Sequence, residues 1–431
     1  MNWKKQNAKI IVGTLIALSA TQSFAAGFEK TVMWSGRWAG VAGAAAGAVE
    51  GADSLFYNPA GLVQGGEREV SLNYSPLFTQ TSGAQTTNNE KLDSKHLTKH
   101  VFGATSKINI NKDIAVGAGL YVSGGSGSEF DYVDFSGINA NYRDLKPAVK
   151  SDVKILEVGL GGAYRLTQNL SAGVTWRTSI AQADFSSADV SLTSSGNALI
   201  NTVFKEMKGE NYEGFRLGLQ YANNEKTWGL GASYRSSIDL SLDGSASGEA
   251  EFAANGANLK MTGGNNVTLS TAFPQQLNFG GFYKYNEHGT FFAEYSWTDY
   301  SENKEIKISG DALNLATTNV LAGKSIVLKW HDAHALKVGN EYYFGNWALR
   351  TGYALTSRVT DKSNVSITFT APSLGHSFTL GTGTSFMNKT LFLDISGEFS
   401  TAKGDGARSN GISGEYTSQA LGLHTSIKYL F

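Results

Sequence analysis

From about Glu67 to the C-terminus, apolar and polar residues alternate with period two, which puts successive side chains on opposite faces of a strand. In the last segment Leu421, Leu423, Thr425, Ile427, Tyr429 and Phe431 share one face, and Gly422, His424, Ser426, Lys428 and Leu430 share the other. Trp228, Leu230, Ala232, Tyr234, Ile238 and Leu240 alternate in the same way with Gly229, Gly231, Ser233, Arg235, Ser237 and Asp239. Leu170, Ala172, Val174, Trp176 and Ile180 alternate with Ser171, Gly173, Thr175, Arg177 and Ser179. One face is apolar and uncharged, and the other is polar and rich in small residues. That is the alternation of a strand with lipid on one side and a polar interior on the other. The segments exceed the ~5–6 residues usual in an aqueous sandwich, and Tyr and Trp gather near their ends, as at a membrane interface.

About fourteen strands follow, starting near Arg68, Leu97, Asp113, Val153, Asn169, Tyr212, Thr227, Gln275, Thr290, His334, Asn346, His376, Lys389 and Tyr416. Tight turns at Asn111-Lys112, Thr167-Gln168, Asn223–Glu225, Asn286–His288, Gly345 and Asn388 contain good turn formers. They alternate with long polar connections at Thr79–His96, Ser126–Lys150, Asp184–Glu210, Asp243–Ser270, Ser301–Asp332, Thr360–Gly375 and Thr401–Glu415. The expected fold is all-β, a transmembrane antiparallel barrel over residues 67–431 with short periplasmic turns and long outer loops. An even strand count puts the C-terminus on the short-turn side. Pro59, Pro76, Pro147, Pro274 and Pro372 fall in loops or at strand ends, where no ladder is interrupted.

The N-terminal region reads differently. Lys4, Lys5 and Lys9, the apolar run Ile10–Ala20 and Ser23-Phe24-Ala25 predict a signal peptide over residues 1–25. The alternative, a retained anchor, needs ~20 apolar residues and the run is shorter. Residues 26–66 do not alternate. The small-residue run Gly40–Gly47 and then Asp53-Ser54-Leu55-Phe56-Tyr57-Asn58-Pro59-Ala60-Gly61-Leu62 predict one or two short helices and an Asn-Pro turn. Ahead of the first strand, such a segment can occupy the lumen as a hatch, with Asp53, Asn58, Pro59 and Ala60 at its gating turn; a periplasmic tail is the alternative.

Composition narrows the class. Cys is 0, so disulfides, thiolate zinc sites and cysteine nucleophiles are excluded. Lys+Arg at 36 against Asp+Glu at 37 leaves no positive field for nucleic acid. A secreted chain with no helical span points to the Gram-negative outer membrane or periplasm.

Candidate chemistry is sparse. Arg177, Arg216 and Arg235 fall on three successive strands, inward and at similar heights, so they could hold a carboxylate. Inward acids Glu157, Asp239 and Glu294, or Glu50 and Asp53 of the hatch, offer internal salt bridges as the alternative. His331 and His334 suit neither one strand face nor a complete metal site, and His424 beside Ser426 lacks a third group for hydrolysis. No enzyme, metal or cofactor is expected. Glycines at period two, such as Gly159, Gly161, Gly229, Gly231, Gly381 and Gly383, lack the following helix of a phosphate loop and read as space-making inside a filled barrel.

Asn58-Pro59-Ala60-Gly61-Leu62 after a small-residue run resembles the plug of the FadL/TodX family of outer-membrane transporters for long-chain fatty acids and other hydrophobic compounds. So do Ala26-Gly27-Phe28, Phe273-Pro274-Gln275, Tyr295-Ser296-Trp297-Thr298, Arg350–Ala354, Ala371-Pro372 and His376–Gly381, in order along the mature chain. The resemblance implies a fourteen-stranded barrel with an N-terminal hatch. Cargo is captured among the outer loops, passes to a lumenal site and leaves sideways into outer-membrane lipid beside a kinked third strand, without energy input. Gly124 and Gly125 are where that strand can break its ladder. The end of the chain, with Tyr429 and Phe431, resembles the signal read by the barrel assembly machinery, and a monomer is expected. A general diffusion porin, a loop-based adhesin and an aromatic-hydrocarbon channel are the alternatives.

Overall fold

The computed structural model describes residues 33–84, 91–193, 196–366, 368, 371–408 and 413–431. The predicted signal peptide, residues 1–25, lies outside them. Six strands come first: β1 (Arg68–Ala84), β2 (Leu97–Asn109), β3 (Ile114–Phe130), β4 (Val149–Arg165), β5 (Leu170–Thr193) and β6 (Gly196–Ala222). Two interrupted strands follow, β7 (Trp228–Arg235 and Ile238–Phe252) and β8 (Val267–Phe273 and Gln276–Lys284). β9 (Gly289–Thr298), β10 (Ala333–Phe344), β11 (Trp347–Thr356), β12 (Gly375–Phe386), β13 (Leu391–Ala407) and β14 (Ser413–Leu430) complete the set. Successive strands pair antiparallel, and β1 pairs with β14 from Glu69↔Leu430 to Ser82↔Thr417. The sheet therefore closes on itself as a fourteen-strand barrel.

Alternation explains which side faces lipid. Leu421, Leu423, Ile427 and Tyr429 are exposed, and so are Leu72, Tyr74 and Phe78 on β1, while Glu69, Ser71, Asn73 and Ser75 are buried inside. Around the outside, tyrosine hydroxyls pair with histidines across strands: Tyr74 with His100 (2.7 Å), Tyr295 with His334 (2.8 Å) and Tyr353 with His376 (2.8 Å).

Two expectations are corrected. The predicted connections Asp184–Glu210 and Asp243–Ser270 are largely strand, because β5 runs to Thr193, β6 resumes at Gly196, and β7 and β8 extend to Phe252 and from Val267. Ser126–Lys150 and Thr401–Glu415 are likewise shortened, since β3 continues to Phe130 and β13 to Ala407. Above the bilayer both faces of a ladder can be polar, so pairing continues where the lipid-facing apolar signal stops. Second, Asp239 is exposed while Ile238, Leu240 and Leu242 are buried. The two-residue break at Ser236-Ser237 exchanges the faces of β7, so Asp239 does not point inward.

Candidate functional site

The N-terminal segment forms α1 (Gly36–Ala39), α2 (Ser54–Tyr57) and a 3-10 turn at Pro59–Val63. Proline opens that turn and the Asn58 side chain caps it by accepting from Ala60 N (3.2 Å), the usual division of labour at a helix start. Asn58 is fully buried, and its amide donates to the carbonyls of Ala46 (2.7 Å), Leu219 on β6 (3.0 Å) and Ala232 on β7 (3.2 Å). A Cβ at Gly173 would overlap Pro59, one at Gly218 would overlap Asn58 Oδ1, and one at Gly231 would overlap the Ala46 carbonyl. Three period-two glycines are thus where the segment touches the wall. Pro59 and Ala60 are buried on the same turn, and Ser171 Oγ donates to Ala60 O (3.0 Å). Asp53 is buried on the far side, 3.5 Å from Thr105 Oγ1.

Arg177, Arg216 and Arg235 all face the interior and are buried. Arg216 lies opposite Arg235 in the β6–β7 ladder, and Arg177 is opposite Gly214 on β6. Two of them, Arg177 and Arg216, meet one carboxylate, Glu157 on β4. Arg177 Nε meets Glu157 Oε2 at 3.0 Å and Arg216 Nη1 meets Oε1 at 3.4 Å, while Tyr121 Oη donates to Oε1 at 2.7 Å. Arg216 Nη1 also donates to the Leu55 carbonyl of α2 (2.6 Å).

The same groups close off broken ladders. Arg177 Nη1 donates to Ser236 O (3.1 Å) at the β7 break, and Arg235 Nη2 donates to Pro274 O (3.1 Å) at the β8 break. Buried carbonyls that lose a strand partner need another donor, and guanidinium supplies it. Phe273, fully buried, carries Arg235 4.5 Å and Arg177 5.8 Å from its ring centroid. Two guanidiniums meet the Glu157 carboxylate, and Arg177 Nη2 is buried without a hydrogen-bond partner among the described residues. Of the acids offered as partners, Glu157 joins this cluster. Glu294 instead binds Lys337 (2.7 Å) and receives the Ala45 and Ala46 N–H groups (2.9 and 2.7 Å).

Beside the cluster the wall itself opens. The β2–β3 ladder runs from Asn109↔Ala115 to Gly103↔Tyr121 and stops. Beyond it β3 pairs with β4 only, with a register shift between Val122 and Gly124, while Leu97–Phe102 of β2 pair with β1. Residues 121–128 of β3 are buried without alternation, because the strand leaves the wall and turns inward. A Cβ on Gly124 would come within 3.2 Å of the Phe273 ring, and Gly125 pairs with Lys154. The strands rejoin at the top, where Lys95 N donates to Glu129 O (2.8 Å) and Thr81 Oγ1 meets Ser128 Oγ (2.8 Å).

A second ionic cluster was not read from the sequence. Glu341 on β10 meets Arg37 of α1 (3.1 Å) and Arg350 of β11 (2.6 Å); Arg37 also meets Glu50 (3.1 Å), and Arg350 meets Asp394 (2.8 Å). Glu341 and Arg350 are direct cross-strand partners, so strand parity alone carries the signal. The lumenal contacts of Tyr121 and Phe273 carry no signal in the sequence, where both look like ordinary core aromatics until the strand breaks are known.

At the extracellular end, a cleft of about 680 Å³ is lined by apolar residues including Ile200, Phe204, Phe252, Ile308, Leu315 and Leu321. At the opposite end Tyr429 pairs with Val70 of β1, and Phe431 packs edge-on against it with centroids 4.8 Å apart.

Comparison with known proteins places this architecture. The long-chain fatty acid transport protein of Escherichia coli (strain K12) is 24% identical over 433 residues, covering 92% of each chain. The crystal structure of a Pseudomonas aeruginosa FadL homologue superposes with a TM-score of 0.72 at 14% identity, covering 94% of this chain and 99% of that one. The P. putida toluene transporter TodX gives 0.72 at 17% identity with the same coverage. The family model for outer membrane protein transport proteins (OMPP1/FadL/TodX) matches residues 16–431. A closed fourteen-strand barrel matched by that model over nearly its whole length belongs to the OMPP1/FadL/TodX family of outer-membrane transport proteins.

Proposed function

We propose that the protein carries long-chain fatty acids, or hydrophobic compounds like them, passively across the outer membrane. The observation that carries this reading is the parted β2–β3 ladder beside a lumen already occupied by residues 33–66. An apolar molecule gains most by passing straight into lipid, and a side opening serves it where an axial water channel does not. Cargo enters the apolar outer cleft, moves to the Arg177, Arg216 and Arg235 cluster, and leaves between β2 and β3 past Gly124 and Gly125. Residues 33–66 act as the hatch, with Asp53, Asn58, Pro59 and Ala60 at its base.

A diffusion porin needs an open lumen, and the polar contacts of the hatch to β1, β2, β5–β7 and β9–β10 argue for a closed one. An aromatic-hydrocarbon channel is the second reading, favoured by the likeness to a toluene transporter; uptake of labelled oleate against toluene in a transporter-deleted host separates the two. The route is tested by cysteines placed in residues 97–102 and 122–128, the natural chain having Cys 0. Crosslinking should abolish uptake and leave binding intact; unchanged uptake would reject the lateral path. The protein acts as a monomer, with Tyr429 and Phe431 read by the assembly machinery. Deleting Phe431 should sharply lower heat-modifiable protein in the outer membrane, and normal assembly would count against that role.

A further inference from the structure

The opening beside β3 is filled by side chains from strands that are not neighbours in the barrel. On β4 the lipid-facing side carries Tyr164 and Leu160, both exposed, yet Leu156 on that same side is buried. It packs in one cluster with Leu77 of β1, Val101 of β2 and Val122 of β3. Leu77 and Val101 belong to the inward faces of their strands. The outer face of the β3–β4 ribbon therefore lies behind the inner face of β2, because β3 has turned in from the wall.

Beyond this apolar layer, toward the extracellular end, stands an ion pair. Lys99, buried on the inward face of β2, lies 3.8 Å from Asp152 Oδ1 on the outward face of β4. Lys150 and Lys154 approach the other oxygen, Oδ2, at 3.8 and 3.9 Å, and Lys150 lies 3.6 Å from Asp184 of β5. These separations exceed hydrogen-bonding range, and Asp152 Oδ1 is buried with no hydrogen-bond partner among the described residues. Glu129, opposite Lys150 in the β3–β4 ladder, and Asp131 are held by Lys95 at 2.5 and 2.6 Å. Lys99, Lys150 and Lys154 thus surround one carboxylate without a fixed bond. Asp152 can turn from Lys99 to the other two and stay paired.

We propose that Lys99 and Asp152 are the latch of the sideways passage, an ion pair that bars the space between β2 and the β3–β4 ribbon. When Asp152 turns to Lys150 and Lys154, an apolar chain can part Leu77 and Val101 from Val122 and Leu156 and reach lipid. The latch rests on the lateral route proposed above and adds the residues that hold it shut. Separating a buried pair leaves a charge uncompensated, which is costly. The spare ammoniums relieve that cost for Asp152, so the resistance to opening falls on Lys99.

The test sets transport against binding in the full chain. Lys99→Met keeps an unbranched side chain and leaves Asp152 with two lysines, so the yield of heat-modifiable barrel should hold. The maximal rate of labelled-oleate uptake by cells should rise about threefold, with oleate affinity of the purified protein unchanged. Lys99→Arg, which can pair with Asp152 again, should bring uptake back to that of the unmodified protein. Lys150→Met combined with Lys154→Met removes the alternative partners and should lower uptake about threefold. Uptake that ignores Lys99→Met, or falls with it, would overturn the latch. So would raised planar-bilayer conductance in that variant, which would mark the pair as a support of the barrel. If Lys99→Met does not give heat-modifiable protein, the double lysine variant decides, and unchanged uptake there overturns the proposal. No oleate uptake by the unmodified protein refutes the transport reading and the latch with it, whereas uptake blocked by the β2–β3 crosslink but indifferent to Lys99 refutes the latch alone.

Discussion

Two ionic clusters occupy the same lumen and differ in what their guanidiniums join. Around Glu341, the guanidiniums of Arg37 and Arg350 meet Glu341, Glu50 and Asp394, so every cation has a carboxylate and α1 is tied to β10. Around Glu157, Arg177 and Arg216 meet one carboxylate, while Arg177 and Arg235 also donate to carbonyls at the strand breaks and Arg216 to the Leu55 carbonyl of α2. Buried charge with matched partners is a fastening. The first cluster ties the hatch to the wall, and for the second we propose a binding role.

Breaking the fastening should have the largest effect. Glu341→Ala removes the carboxylate shared by buried Arg350 and half-buried Arg37, leaving Asp394 and Glu50 as their acids. The cost is about 3 kcal/mol, seen as a lower urea midpoint for the heat-modifiable form and as raised leak conductance. Next comes the hatch turn. Asn58→Ala removes the amide that binds three carbonyls, and about 1–3 kcal/mol of stability should go with it. Leak should rise in planar bilayers at normal barrel yield; wild-type conductance would leave the turn a purely structural role. Glu157→Gln sharpens the contrast from the other side, because the cluster loses its internal competitor. Oleate binding should tighten by about tenfold while the fold loosens, and weaker binding would mean that Glu157 orients the arginines for the ligand. The smallest effect belongs to Gly124→Ala, which presses a methyl toward the Phe273 ring. Uptake should fall a few-fold with barrel yield unchanged.

Much of this was legible in the chain because lipid imposes a strict period. Strand starts such as Arg68 and Leu97 coincide with the structure, and Arg177, Arg216 and Arg235 could be placed at one height by counting from the short turns. The outer extensions of β5–β8 could not be read, since a ladder in water needs no apolar face. The break at Ser236-Ser237 carries no distinctive residue, so the inversion that sends Asp239 outward was invisible. Pro274 did mark its break, but not that its carbonyl would be bound by Arg235. Glu341 with Arg350 was within reach of strand parity, since the two are cross-strand partners on the inward face.

We propose that the cluster of Arg177, Arg216 and Arg235 binds a carboxylate. This is tested most directly by equilibrium binding of oleate and of an uncharged hydrocarbon of similar length to the purified protein and to Arg177→Ala, Arg216→Ala and Arg235→Ala. Each substitution should weaken oleate by about tenfold or more and leave the neutral ligand nearly unchanged. Equal losses for both ligands would contradict the claim and reduce the three arginines to supports for the barrel and its hatch.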